Sequence, residues 1–243
     1  MSKFFFKPSA LSDDMVTITG NMAHHILHVL RLRIGQELIL CDGKCTDFKA
    51  KLLAVTEKPT ALTFALLSHT YSDSETIVPI TLFQGLPKGD KMDWIIEKCV
   101  ESGVNKIIPV CTARTVAKVK DSDKKTERFM RISESAAAQS MRGIVPAVSQ
   151  TRYFSEVLAA YDSNYLHLVA FEKERCHTIK SVINCMQPKP IAIWIGPEGG
   201  FEDNEVCALE AKGAIPVSLG PRILRSETAG LVALAQVLCL WEH

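Results

Sequence analysis

From Ile80 to the C-terminus, short apolar runs alternate with longer stretches of helical periodicity. That alternation limits the fold more than anything else in the chain. Ile80-Thr-Leu-Phe83, Lys106-Ile-Ile-Pro-Val110, Tyr165–Phe171, Ile191-Ala-Ile-Trp-Ile195 and Ile215-Pro-Val-Ser-Leu219 have the length and β-branched content of strands. Between them, Lys91–Glu101 sets Met92, Ile95, Ile96, Cys99 and Val100 at helical spacing, and Gly103 stops it. Glu127–Met141, Asp203–Lys212 and Glu227–Trp241 read as further helices. The last is apolar almost all round, which requires burial inside the fold or in a subunit interface. Such alternation specifies a mostly parallel sheet covered on both faces. Ligands of these sheets bind beyond the carboxyl ends of the strands. Three loops leave those ends: Phe171-Glu172-Lys173, Gly196–Gly200 and Gly220–Arg225.

The first 70 residues are patterned differently. Val16–Thr19, Glu37–Cys41, Phe48–Leu53 and Ala61–Leu66 read as short strands, with Asp42-Gly43 as a tight turn and one helix from Asn21 to Leu30. This is the pattern of a small barrel carrying one helix. The polar stretch Tyr71–Thr76 reads as a linker. The division expected is therefore 1–70, a linker at 71–76, and 77–243.

Bulk properties exclude little. The formal net charge is +1, so any affinity for nucleic acid must come from local patches. One candidate lies between Arg114 and Arg142, where Arg114, Lys118, Lys120, Lys124, Lys125, Arg128, Arg131 and Arg142 face Asp121, Asp123, Glu127 and Glu134. It is either a solvated helix face or an RNA-binding one. The eight cysteines (Cys41, Cys45, Cys99, Cys111, Cys176, Cys185, Cys207, Cys239) are scattered without a CxxC pair, which fits a reducing compartment better than a disulfide framework. Cys41 and Cys45 with His24, His25 and His28 have a spacing that tolerates zinc, but the histidines precede the cysteines on a helix, and no metal is expected. Phe4-Phe5-Phe6 is too short for a signal peptide, and the longest apolar run, Ala229–Trp241, is too short to span a bilayer. A cytoplasmic protein with no membrane partner is expected.

Gly196-Pro-Glu-Gly-Gly200 follows a strong strand and precedes a helix. Glycines there permit positive φ and close approach of a ligand to the backbone. The turn lacks both the dinucleotide G-x-G-x-x-G spacing and the GK[ST] of a phosphate loop. Alone it is either a plain tight turn or a ligand cradle. Leu219-Gly-Pro-Arg-Ile-Leu-Arg-Ser-Glu-Thr-Ala229 adds a second Gly-Pro turn, two arginines and a helix start. Ser226 is the expected N-cap, and Glu227 suits the positive end of the helix. Arg225 sits just before the cap, and arginine suits phosphates and planar anions.

Together these two loops resemble the cofactor loops of SPOUT methyltransferases. More narrowly, the chain resembles the ribosomal small-subunit methyltransferase E family over nearly its whole length. The marks are His25-Ile-Leu-His-Val-Leu-Arg31 with Gly35, Lys88-Gly-Asp-Lys-Met92, Glu97-Lys98 with Glu101 and Gly103, Glu134–Gln139 with Arg142, Ile195–Phe201 and Leu219–Ala229. Lys3 stands where an arginine is common, Ser102 where a leucine is, and Cys99-Val100 replaces a small pair. The resemblance implies an α/β protein with a small N-terminal PUA-like barrel that grips RNA. It also implies a C-terminal SPOUT domain with a trefoil knot that forms a homodimer. The implied activity is methylation of N3 of a uridine in small-subunit ribosomal RNA, free or in the assembled 30S-type subunit, with S-adenosyl-L-methionine as donor.

Under this reading the cofactor lies on Phe171, Glu172, Ile195, Gly196, Pro197, Glu198, Gly199, Gly200, Leu219, Gly220, Ile223, Leu224 and Thr228. The main chain of 196–200 and 219–224 would hold adenine and ribose. Leu219, Ile223 and Leu224 are either an apolar slot for the adenine or ordinary core. RNA contacts fall to Lys3, His25, Arg31 and Arg33 in the barrel, and to Lys88, Gln139 and Arg142 beyond it. Arg31 has bracing the barrel as its alternative. Uracil N3 is a poor nucleophile until it loses its proton. A cation about 4 Å away favours the anion by roughly 4 kcal/mol at an effective dielectric near 20, or about three pKa units. Arg225 is the first candidate for that cation and Arg222 the second. Glu227 and Glu198 are candidate proton acceptors, each with a structural alternative. Competing readings are another methyltransferase of the superfamily, a non-enzymatic RNA binder, and a nucleotide-using α/β enzyme. The last is disfavoured by the missing phosphate loop.

Overall fold

The structure is a computed structural model that describes residues 3–116, 122–184 and 186–242, with only the main chain of Ser122. Lys118, Lys120 and Asp121 of the basic stretch, and Cys185, lie outside the described residues. The chain forms two compact units, one of Met1–Glu75 with Ala137–Val145, the other of Thr76–Ala136 with Pro146–His243.

The first unit is a six-stranded sheet. Its strands are β1 (Lys3–Phe5), β2 (Leu11–Ser12), β3 (Met15–Thr19), β4 (Glu37–Cys41), β5 (Thr46–Glu57) and β6 (Thr60–Tyr71), in the order β1-β4-β5-β6-β3-β2. Alternation fixes the register, because successive strand side chains point to opposite faces. Val16 and Ile18, Leu38 and Leu40, Ala50 and Leu52, and Leu62 and Phe64 all turn inward as i, i+2 pairs. Across the strands Val16 faces Phe64, Ile18 faces Leu62, and Leu38 faces Ala50. Ala23 and Ile26 cap this core. They come from α1 (Gly20–His24) and the π-helical turn His25–Val29 that continues it. One regular helix was expected over Asn21–Leu30. The extra residue of the π turn turns Ile26 into the core and leaves His25 and His28 exposed.

Two basic side chains expected on the RNA face are enclosed in this unit. Lys3 Nζ pairs with Asp47 at 2.7 Å and donates to the carbonyls of Met141 (3.0 Å) and Arg142 (2.8 Å). The Arg142 guanidinium pairs with Glu75, whose carboxylate also accepts the Gly143 N–H at 2.8 Å. Both residues are 2% exposed. A buried charge persists when it is paired and hydrogen-bonded, so both side chains brace this unit and neither presents a cation to RNA. The segment after β6 is likewise pinned: the Ser72 N–H donates to Cys45 O at 2.8 Å.

The second unit is a parallel sheet. It contains β7 (Ile80–Gly85), β8 (Lys106–Cys111), β9 (Ala147–Val148), β10 (Arg152–Tyr153), β11 (Leu166–Ala170), β12 (Ile191–Ile195) and β13 (Ile215–Val217). The order is β10-β8-β7-β12-β11-β13, with β9 on β8. Every residue of β12 is buried, as expected of a central parallel strand covered on both faces. The helices are α2 (Lys91–Glu101), α3 (Ser122–Gln139), α4 (Phe154–Ala159), α5 (Ile179–Ile183), α6 (Asp203–Glu210) and α7 (Ser226–Trp241). Helix α7 lies against β7, β12, α2 and α5. It buries Ala229, Gly230, Ala233, Leu234 and Val237 and leaves Leu231, Val232, Leu238 and Leu240 half-buried.

The opposite layer holds a histidine that titrates with folding. Trp194 Nε1–H donates to His167 Nδ1 at 3.0 Å, so the His167 proton resides on Nε2, which donates to Asp162 O at 2.8 Å. The ring stacks on Tyr161 at 3.8 Å, and Trp194 stacks on Phe83 at 4.0 Å. Burial lowers the His167 pKa below its ordinary 6.5, against the smaller opposing effect of Asp162. Above 6.5 both folded and unfolded forms are neutral and the full stability is present. As pH falls below that value, the unfolded chain takes up a proton that the folded chain refuses, and stability drops until the depressed value is reached. The expected result is a urea midpoint that declines over this window, and declines less in His167→Gln. Equal slopes for both proteins contradict it.

Among the described residues, no helix is long and apolar enough to cross a membrane.

Candidate active site

The carboxyl ends of β12, β11 and β13 meet at a cavity of about 480 Å³, a size suited to a small organic ligand. Its walls are the three loops singled out by sequence. The Gly196–Gly200 turn is forced into shape by close backbone approach. A Cβ on Gly196 would lie 2.8 Å from Gly200 C, and one on Gly85 of β7 would lie 2.4 Å from Pro197 N. Gly200 closes the turn at φ +71, where a side chain is strained, with its N–H donating to Pro197 O at 2.9 Å.

Two neighbours hold the turn in place. Arg114 Nη1 donates to Gly199 O at 2.7 Å. Its aliphatic stem packs over Gly199, 3.3 Å from where a Cβ would stand. The Ser226 hydroxyl donates to Gly196 O at 2.6 Å and accepts Gln84 Nε2–H at 2.9 Å. Ser226 was expected to cap α7. The structure instead puts Arg225 in the cap position, in extended conformation and without a side-chain cap bond. The Ser226 hydroxyl is drawn inward because two buried partners need it. Ser226→Ala should therefore lower the stability by about 1–3 kcal/mol, the usual cost of stranding a buried polar group. An unchanged urea midpoint would sink that role.

The charges sort into paired and unpaired. Lys91 Nζ sits 3.0 Å from Glu198 and 3.5 Å from Glu227. Burial works against ionisation of Glu198, but hydrogen bonds from its own N–H, the Lys91 ammonium and the Lys88 N–H prevail and hold its pKa below the ordinary value. That makes Glu198 a weak proton acceptor. Glu227 keeps one buried carboxylate oxygen without a hydrogen-bond donor, although the Lys91 ammonium stands within ion-pair range of it. No hydrogen bond or ion pair to a described residue reaches the side chains of Glu172, Arg175, Arg222 or Arg225, all of which line the cavity.

The cavity brings together Phe171, Glu172, Ile195, Gly196, Pro197, Glu198, Gly199, Gly200, Leu219, Gly220, Arg222, Ile223, Leu224, Arg225 and Glu227. Thr228 is not in its lining; it lies in the first turn of α7, where its N–H donates to Arg225 O at 2.9 Å. Ile223 is 73% exposed, so it is not ordinary core. Lys91 and Arg175 also line the cavity and were not anticipated. Lys91 stands inside the Lys88–Met92 stretch that marks the family, and Arg175 only two residues past the Phe171–Lys173 loop. Of the residues assigned to RNA, His25, Arg31 and Arg33 are exposed on the first unit, Lys88 on the second, and Gln139 near the end of α3. Part of the described basic stretch is paired locally: Arg128 with Asp93 and Arg131 with Glu127, while Lys125 keeps its charge over the Phe129 ring.

Among the described residues no cluster of histidine, cysteine and carboxylate could hold a metal ion. The Cys41 thiol is buried, which pushes its pKa up to about 12, and it donates to Gly143 O. In the folded chain it is therefore protonated at neutral pH.

A parallel sheet with two glycine turns meeting arginines at its carboxyl end makes a ligand site, and the matching family models give its class: an RNA methyltransferase. The sequence matches the RNA methyltransferase domain family over residues 74–238 and the RNA methyltransferase PUA domain family over 18–62. The chain belongs to the ribosomal RNA small subunit methyltransferase E family. It is 36% identical over 228 residues to the Bacillus subtilis member, covering 91% of this chain and 88% of that one. It is 35% identical over 237 residues to the Synechocystis member, covering 97% and 76%. The crystal structure of the Neisseria gonorrhoeae ribosomal RNA small subunit methyltransferase E bound to S-adenosyl methionine superposes with a TM-score of 0.88 at 32% identity, over 99% of this chain and 98% of that one.

Proposed function

We propose that this protein transfers the methyl group of S-adenosyl-L-methionine to N3 of a uridine in small-subunit ribosomal RNA. The observation that carries the reading is the cavity between two glycine turns, with Arg222 and Arg225 on its rim and neither paired with a described residue. The residues present suit the cofactor. Gly196, Gly199 and Gly200 line the cavity with main chain that carries no side chain of its own, and Leu219, Ile223 and Leu224 offer an apolar slot for adenine. Bound there, the cofactor supplies a methyl group already activated on a sulfonium.

The remaining task belongs to the protein. Arg225, backed by Arg222, faces the RNA and favours loss of the uracil N3 proton. Both arginines are exposed in the free chain, so their field acts at full strength only once RNA covers the loop and excludes water. Glu227 is the better-placed proton acceptor, since Glu198 is committed to Lys91 and Lys88. His25, Arg31, Arg33, Lys88 and Gln139 position the RNA through backbone contacts. Lys3 and Arg142 do not take part.

The same reading includes the division at 71–76, the trefoil knot of the second domain and a cytoplasmic homodimer. The half-buried apolar side chains of α7 support a second copy covering that helix. Labelled S-adenosylmethionine, small-subunit RNA lacking the modification and the purified protein should together give labelled N3-methyluridine on nucleoside digestion. Label on a ribose, or on another base, would contradict the proposal.

A further inference from the structure

The cavity holds four side-chain charges that no described residue neutralises: Glu172, Arg175, Arg222 and Arg225. All four are exposed, so in the free chain water solvates them and they stand available to charged groups of a ligand. Arg222 and Arg225 share the loop after β13 and serve the anionic RNA in the reading above. Glu172 and Arg175 share a different loop, the one leaving β11. In the sheet order β12-β11-β13 that loop rises between the Gly196–Gly200 turn and the arginine loop.

Glu172 is fitted to its place. A Cβ on Gly200 would lie 3.1 Å from each of its carboxylate oxygens, so the carboxylate rests over a residue that must lack a side chain. An anion and a cation, three positions apart and not paired with each other, match a ligand that carries one of each. The amino-acid end of S-adenosylmethionine is such a zwitterion.

We propose that Arg175 and Glu172 recognise the amino-acid end of the cofactor, Arg175 taking its carboxylate and Glu172 its ammonium. Arginine meets a carboxylate with two parallel N–H donors, and charge-assisted bonds of this kind are the strong ones. The inference rests on the cofactor reading above. It gives Glu172, already expected at the cofactor, a particular group to meet, and adds Arg175 to the site.

The test compares two ligands by calorimetry on the purified full chain. S-adenosylhomocysteine keeps the amino-acid end, and 5′-methylthioadenosine keeps the adenosine and sulfur without it. The wild type should bind S-adenosylhomocysteine the more tightly. Arg175→Gln should weaken that ligand by about ten- to a hundredfold, the scale of a lost charged hydrogen bond, and leave methylthioadenosine within about twofold. Glu172→Gln should act in the same direction by about tenfold. The unchanged methylthioadenosine affinity serves as the check on folding. Equal losses for both ligands, or unchanged S-adenosylhomocysteine affinity in both variants, would overturn the assignment. A wild type that binds both ligands equally would overturn it while leaving the cofactor site standing. A wild type that binds neither would remove the cofactor reading itself.

Discussion

Arg225→Ala should abolish methyl transfer, by about a hundred- to a thousandfold in kcat, while cofactor affinity stays within about twofold of wild type. The two effects separate because the guanidinium makes no hydrogen bond or ion pair with a described residue. Its main-chain carbonyl accepts the N–H groups of Thr228 and Ala229 at 2.9 and 2.8 Å, and alanine keeps both bonds, so α7 still starts where it does. What the variant loses is a cation beside the uracil. A substrate whose N3 anion is less stabilised needs a higher pH to ionise. The residual activity should therefore rise with pH beyond the range where the wild type has levelled off. Arg225→Lys should recover part of the rate, since lysine keeps the charge but not the planar fork. A variant that methylates at the wild-type rate sinks the role. One that loses cofactor affinity in proportion to activity places Arg225 on the cofactor instead.

Gly85→Ala should damage the site from outside it. Gly85 ends β7 and is not part of the cavity lining, yet its Cβ would stand 2.4 Å from Pro197 N and 2.6 Å from both Gly196 C and Pro197 Cδ. These are backbone and ring atoms, and none can swing away as the tip of a flexible side chain would. The added methyl must push the turn off β7 or strain both strands, at the upper end of the roughly 1–3 kcal/mol that overpacking costs. For a chain of this size that corresponds to a fall in Tm of about 6–12 °C. The displaced turn also moves the main chain of Gly196 and Gly200, so calorimetry should show cofactor affinity reduced by more than tenfold. Unchanged Tm and unchanged affinity would mean that the turn does not depend on its contact with β7.

These two substitutions mark where sequence was informative and where it was not. Strand β12 and helix α2 have the bounds their residues announce, Ile191–Ile195 and Lys91–Glu101. An unbroken β-branched run and a clean helical period with a glycine stop leave few alternatives. The long hairpin of β5 and β6, each 12 residues, was legible only in its apolar middle. Its polar ends pair through the backbone, which residue type does not reveal. Helices α4 and α5, of 6 and 5 residues, are too short to display a period. The site shows the same division. Glycine turns and arginines are visible because their chemistry is rare. The fates of Ser226, Lys3 and Arg142 were not visible, because each is decided by a distant partner: Gly196 and Gln84 for the first, Asp47 and Glu75 for the others. A serine before a helix resembles a cap until a buried carbonyl claims its hydroxyl. A basic residue resembles an RNA contact until a carboxylate encloses it.

The central claim is the target atom, and one measurement reaches it directly. Small-subunit ribosomal RNA from a strain lacking this protein should be digested and its methylated uridines mapped by mass. The account predicts that a single N3-methyluridine disappears, that every other methylated position persists, and that the wild-type gene restores it while the Arg225→Ala gene does not. A methylation pattern identical to the parent strain, or loss of a methyl group on a ribose or another base, would contradict it.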